Sequence, residues 1–246
     1  MARRWSLREL AARSCLSIGA VQAIESGQAG SVESTVRLAE ALSLRVDITI
    51  ADPRRRPAVA RQVDVVHAAM GEVEAAHFRR LGFQLGLDEP YQHYQFAGRA
   101  DVVVWDVERR ALLHIENRTR FPDFQETAGS FNAKRAYLGA AFANRLALGR
   151  WESETHVVVA LWSAEVLHAL RLHRESFRAL AGDGSEEFAA WWSGSAPITG
   201  RRATLVVLDP LASERQRPWV GLEEAFTVRP RYRGYADVAR LLARAA

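Results

Sequence analysis

Trp5–Leu44 reads WSLRELAARSCLSIGAVQAIESGQAGSVESTVRLAEALSL, and its punctuation is that of three short helices. Ser6 followed by Glu9 is a capping box, in which each side chain satisfies a free backbone N–H of the other residue. Leu7, Leu10 and Ala11 then recur at helical spacing. Ser17 is placed to cap a second helix with Ile18, Val21 and Ile24 on its inward face, terminated at the Ser26-Gly27 pair. Ser31 opens a third, with Thr35, Leu38, Ala39 and Leu42 on one face. Each signal is common alone. Three of them, phased and spaced like this, predict a small all-α unit that presents one helix to a DNA groove.

This stretch resembles the lambda-repressor-like (Cro/repressor, XRE) helix-turn-helix family, over residues 1–51. The resemblance rests on Leu7-Arg8-Glu9-Leu10-Ala11-Ala12, Leu16-Ser17, Ile24-Glu25-Ser26-Gly27 and Leu38-Ala39-Glu40-Ala41-Leu42. It implies that Leu16 to Ser26 is the recognition helix, lying in the major groove. The positions it turns toward bases are Ser17, Ile18, Gly19, Ala20, Gln22 and Ala23. Of these only Gln22 carries an amide suited to adenine. Arg4, Arg8, Arg13 and Gln28 are placed to hold phosphates, which position a protein without specifying sequence. The expectation is duplex DNA binding with limited direct base readout, requiring no cofactor. Members usually carry one more helix ahead of this segment. Only Met1 to Trp5 precede it, leaving an incomplete small core or a start downstream of the natural one. A helix-turn-helix used only for protein contacts is the alternative reading.

Bulk composition agrees with such a partner. The formal charge is +4 with a pI near 9.7, the sign expected for a nucleic-acid binder though not proof of one. Of the 33 Lys+Arg residues all but Lys134 are arginine, which reads as codon bias rather than function. Hydrophobic content of 48% is ample for a packed core, and 246 residues suit two modest domains. A single cysteine, Cys15, excludes an internal disulfide framework and reads as a small core residue. No apolar run approaches membrane-spanning length and no signal-peptide pattern follows Met1, so the expectation is a cytoplasmic, soluble chain with no membrane partner.

Beyond Leu44, Arg45–Ile50 alternates as a short strand would. Asp52-Pro53-Arg54-Arg55-Arg56-Pro57 then reads as a basic linker, spanning 52–65, or as an arm touching phosphates. The remaining domain, 66–246, opens with a helix over Val66, Met70, Val73, His77 and Leu81. Strands are predicted over Phe83–Leu87, Asp101–Val107 and Ala111–Arg118, then a long helix from Asp123 to Leu148. Thr155–Ser163, apolar and β-branched, suits a buried central strand. Ala164–Leu180 mixes helix and turn, Ala203–Leu208 is a strand, and Tyr235–Ala246 is a closing helix. Gly182–Gly200 and Leu211–Arg233 read as loop-rich. The fold class expected is α+β / α/β, an all-α helix-turn-helix domain followed by a mixed α/β sandwich.

Two acids stand out in that second domain. Side chains alternate across a strand, so His114, Glu116 and Arg118 share one face. A hairpin turning at Glu108–Arg110 brings Asp101 near Glu116, and two carboxylates so held suit Mg²⁺. The pattern resembles the PD-(D/E)XK nuclease superfamily over Val66 to Ser163, implying a restriction-endonuclease-like sandwich. The resemblance makes Asp101 and Glu116 the metal acids and Glu74 an accessory acid on the opening helix. Arg118 stands where the motif has lysine, and arginine cannot lose a proton at working pH. Lys134, at the edge of the Phe124, Ala128, Phe131, Leu138, Phe142 stripe, is a candidate displaced catalytic lysine. Arg135 sits within that stripe, with Asp101 or Glu116 as expected partners. The bland alternative is that Arg118, Lys134 and Arg135 only neutralise buried acids in a retired nuclease fold.

Other features point less far. His93, His114 and His156 match no compact ligand spacing. Tyr91–Phe96 is aromatic enough to stack on bases, or forms a half-buried strand. Trp191-Trp192 reads as a core plug, and Gly182–Ser185 as a turn. The leading expectation is a DNA-binding transcriptional regulator whose nuclease-like domain is inactive, on double-stranded DNA and as a homodimer by analogy. The alternatives are a Mg²⁺-dependent endonuclease and an antitoxin-like partner-binding module.

Overall fold

In the computed structural model, residues 5–26, 30–42, 44, 64–93, 96–182, 184–213 and 215–245 are described. Chain contacts divide into two units, Met1–Ala60 and Arg61–Ala246. Arg4, Gln28, the strand expected at Arg45–Ile50 and the basic run 52–57 lie outside the described residues.

The first unit is built from caps. The Ser6 N–H donates to Glu9 Oε2 at 2.8 Å while the Glu9 N–H donates to Ser6 Oγ at 3.3 Å, closing the box that opens α1, Leu7–Ser14. Ser17 Oγ accepts from the Ala20 N–H at 3.1 Å and opens α2, Ile18–Glu25. Ser31 Oγ accepts from the Ser34 N–H at 3.1 Å and opens α3, Val32–Ala41. Leu10, Ala11 and Val21 are buried together, with Leu7, Leu16, Leu38 and Leu42 packed around them. Two expectations are corrected here. Ile18 is 45% exposed, not inward; so small a cluster covers one turn of α2, and Val21 fills it. Cys15 is exposed, because it caps α1 in the left-handed region at φ 53° and its side chain leaves the core.

The second unit is a six-stranded mixed sheet in the spatial order of its sequence, β1 to β6, among the described residues. Asp64 caps α4, Val65–Arg80, by accepting from the N–H groups of Val66 and His67, so the last two residues of the expected linker, Asp64 and Val65, belong to the helix and its cap. β1 (Gln84–His93), β2 (Phe96–Asp106) and β3 (Ala111–Arg118) form an antiparallel meander. α5, Phe124–Arg145, crosses over to β4, Ser153–Leu161, which runs parallel to β3. α6 (Ala164–Leu172), α7 (Arg174–Ala181) and α8 (Ser185–Trp192) lead to β5, Gly200–Leu208, parallel to β4. β6, Trp219–Gly221, pairs antiparallel to β5, followed by α9, Leu222–Ala225, and α10, Tyr235–Ala245.

β4 lies between β3 and β5 and is buried along almost its whole length, apolar from Val157 to Leu161. Alternation separates the two faces of the meander. Val102, Val104, Leu113 and Ile115 join Val66, Met70 and Phe78 of α4. Val103 and Leu112 join Leu138 and Phe142 of α5. Helices therefore cover the sheet on both sides. Two segments expected as loops contain elements, α8 within 182–200 and β6 with α9 within 211–233. α8 lacks a side-chain cap, opening instead at Gly184 in the left-handed region. β6 is too short to show alternation and is defined by its partner β5. Among the described residues no helix is long and apolar enough to cross a membrane.

Candidate functional site

In the first unit, α2 shows Ile18, Gly19 and Gln22 on its exposed side, with Ala20 half-buried and Val21 turned inward. A Cβ added at Gly19 would meet nothing within 4 Å, so this face is open and shallow. Ser17 uses its hydroxyl in capping. Arg8 and Arg13 are exposed on α1, Arg13 lying 4.4 Å over the Trp5 ring. The outward face of α2 carries one charge, the exposed Glu25 at its C-terminal end, with arginine supplied from the helix before it.

In the second unit the β2–β3 pairing ends at Val102↔Ile115; the next residues are Asp101 on β2, which turns toward α4, and Glu116 on β3, which meets Lys134 of α5. Asp101 Oδ2 accepts the Asn117 N–H at 2.8 Å and lies 3.1 Å from His67 Nε2 on α4. Hydrogen bonding to Asp101 raises the His67 pKa above its ordinary value, against the opposing effect of burial.

Glu116 is buried among three basic side chains. Oε1 accepts from Arg118 at 2.7 Å, Oε2 is in direct contact with Lys134 Nζ, and His114 Nε2 lies 3.5 Å away. Burial would push this carboxyl up. The His114 contact and the charges of Lys134 and Arg118 outweigh burial and hold it well below the usual carboxylate range. Lys134 reaches it from the middle of α5, buried under the sheet. Glu74 is also fully buried, accepts from Asn117 Nδ2 at 3.0 Å, and is pushed by burial up to about 8, so it is neutral near pH 7. Glu74 Oε1 and Asn117 Oδ1 have no hydrogen-bond partner. A cleft of about 550 Å³ opens beside the cluster, lined by His67, Asn117, Arg118, Arg120, Asp123 and Glu126 among others.

Arg135 does not meet either acid, contrary to expectation. It donates to the Leu180 carbonyl at 3.2 Å, because one residue along a helix turns the side chain about 100° away from the direction Lys134 takes.

Sequence reading missed a second buried group. His114 and His156 are register partners across β3 and β4, with Nδ1 atoms 3.3 Å apart. His156 in turn lies 3.3 Å from Glu154, which accepts from Arg201 at 2.9 Å. Burial lowers His156 to about 4, leaving it neutral. The two histidines are far apart in sequence, and no local spacing could pair them. Tyr91 is buried beside Val103 and Leu112 in a strand, so its ring is not offered for stacking on bases.

Mg²⁺ binds through carboxylate oxygens, waters and phosphate. Here both Glu116 oxygens are held by cations, one Asp101 oxygen is engaged twice, and Glu74 is protonated. Among the described residues no three His, Cys, Asp or Glu side chains gather closely enough to hold a metal ion. The donor set does not fit a divalent cation. No protein-family model matches this chain, and no curated protein matches it.

Proposed function

We propose that the protein is a DNA-binding transcriptional regulator of the lambda-repressor-like type, in which the second, nuclease-like unit does not cleave DNA. The observation that carries this reading is α2. It is a capped helix anchored through one fully buried residue, Val21, with Ile18, Gly19, Gln22 and, at its end, Glu25 left on an open outer side. A short helix with so little side-chain bulk outward approaches a groove closely, while Arg8 and Arg13 on α1 meet phosphates. Gln22 supplies the one bidentate amide, so binding tolerates sequence and depends on charge. Titrating duplex DNA of mixed sequence at several salt concentrations tests it. Log affinity is expected to fall steeply and linearly with log salt; a flat response, or no binding at low salt, overturns the regulator reading.

A second reading, metal-dependent endonuclease, is favoured by one observation, the contact of the chain's sole lysine with Glu116. Incubation with Mg²⁺ or Mn²⁺ and several DNA forms, beside Glu116→Ala, separates the two. Cleavage abolished by the substitution establishes the nuclease. Absence of metal-dependent cutting, or cutting that survives it, leaves the regulator.

A further inference from the structure

Part of the misfit between this acidic pair and a divalent cation comes from Arg118. Arg118 donates through one nitrogen to Glu116 Oε1 at 2.7 Å and through another to the Asn117 carbonyl oxygen at 2.9 Å. A carboxylate and a backbone carbonyl converging on one point are the hard oxygen ligands that divalent ions take. Asp101, whose Oδ2 accepts the Asn117 N–H, is the third oxygen donor at that edge of the sheet. The guanidinium fills the position from which an ion would reach the first two.

Arginine side chains keep their charge at any pH at which proteins work. The planar fork of Arg118 satisfies both acceptors at once through two different nitrogens. Lys134 does not do the same job. It contacts the other oxygen of Glu116 and comes from beneath, out of α5.

We propose that Arg118 is the resident cation of this site, an internal replacement for a divalent ion, and that its presence keeps such ions out. The proposal rests on the reading of the second unit as non-cleaving and names the residue responsible. Simple charge neutralisation and a resident cation differ in the state left behind when the group is removed. A neutralising arginine, once lost, leaves a destabilised acid. A space-filling resident cation, once lost, leaves Asp101, Glu116 Oε1 and the Asn117 carbonyl open to an ion from solvent.

The test is Mn²⁺ binding to the full-length protein, followed by the paramagnetic resonance of free Mn²⁺ in the absence of nucleic acid. Wild type is expected to bind no more Mn²⁺ than Asp101→Asn. Arg118→Ala is expected to acquire one site at least about tenfold tighter than any in wild type, lost again in Arg118→Ala/Asp101→Asn. Arg118→Met, which keeps the apolar stem, is the second variant and should behave the same way. Asp101-dependent Mn²⁺ binding by wild type overturns the proposal, and so does a failure of either folded variant to gain a site. Collapse of the fold in both variants also counts against it, since Arg118 would then hold the sheet together rather than a site shut. Because DNA is absent, failure of the DNA-binding reading leaves this result untouched.

Discussion

Glu74 is a carboxyl that the fold keeps protonated. Desolvation raises it from an ordinary 4.5 to about 8, with Asn117 hydrogen bonding working against that and the Asp101 charge adding to it. A folded pKa above the unfolded one means the unfolded chain releases a proton that the fold retains. Below 4.5 both states are protonated and nothing is lost; stability then falls as pH rises toward about 8. Glu74→Gln removes that dependence. Between about pH 5 and about pH 9 the variant should gain on wild type by about 1 kcal/mol or more in urea unfolding, the size of one pKa unit of linkage. Parallel stability curves for the two proteins would show that Glu74 does not titrate in this range. At the same scale, the oddity of a lone lysine was legible in composition, and so was its place beside the α5 stripe. Its contact with Glu116 was a hypothesis there. The saturation of Glu116 by three basic groups was not visible at all, since it needs β2, β3 and α5 assembled.

At the scale of elements, α5 carries two glycines with opposite expectations. Gly129 is exposed, and an added Cβ would meet nothing within 4 Å, so Gly129→Ala should stabilise by ~0.5–1 kcal/mol, the usual helical difference. Gly139 faces the sheet, where a Cβ would come within 2.5 Å of Glu154 Oε2. That carboxylate is fastened by Arg201 and His156. The helical gain at Gly139→Ala should therefore be cancelled or reversed. Thermal melts of the two variants decide it; equal stabilisation by both would mean Glu154 yields freely. Elements with strong local signals are the ones that sequence located well. β3 matches its expected bounds of Ala111–Arg118, and Asp123 opens α5 as its cap. β1 and β2 extend further than expected because their hairpin continues pairing to His93↔Phe96, through residues whose polarity reads as loop. α8 and β6 escaped because an uncapped two-turn helix and a three-residue strand carry no periodicity to detect.

For the whole molecule, positive charge is spread along the chain as arginine, and DNA binding is expected to draw on it through phosphate contacts. Arg8→Ala should weaken binding about equally across sequences and reduce the salt slope by ~1, measured by the same titration as for wild type; an unchanged slope removes Arg8 from the interface. Caps, helical stripes and strand alternation are interactions among residues a few positions apart, so the order of elements and the mixed α and β character could be read along the chain. The parallel register of β3 with β4 is different in kind. It is set by how the α5 crossover packs, and it alone joins His114 to His156 and aligns the buried edge of the site. Likewise the identity of the acidic pair was written in two strands, but whether its oxygens face an ion or a guanidinium was not. That depends on which side chain fills a few cubic ångströms at the sheet edge, a matter of packing that no local spacing encodes.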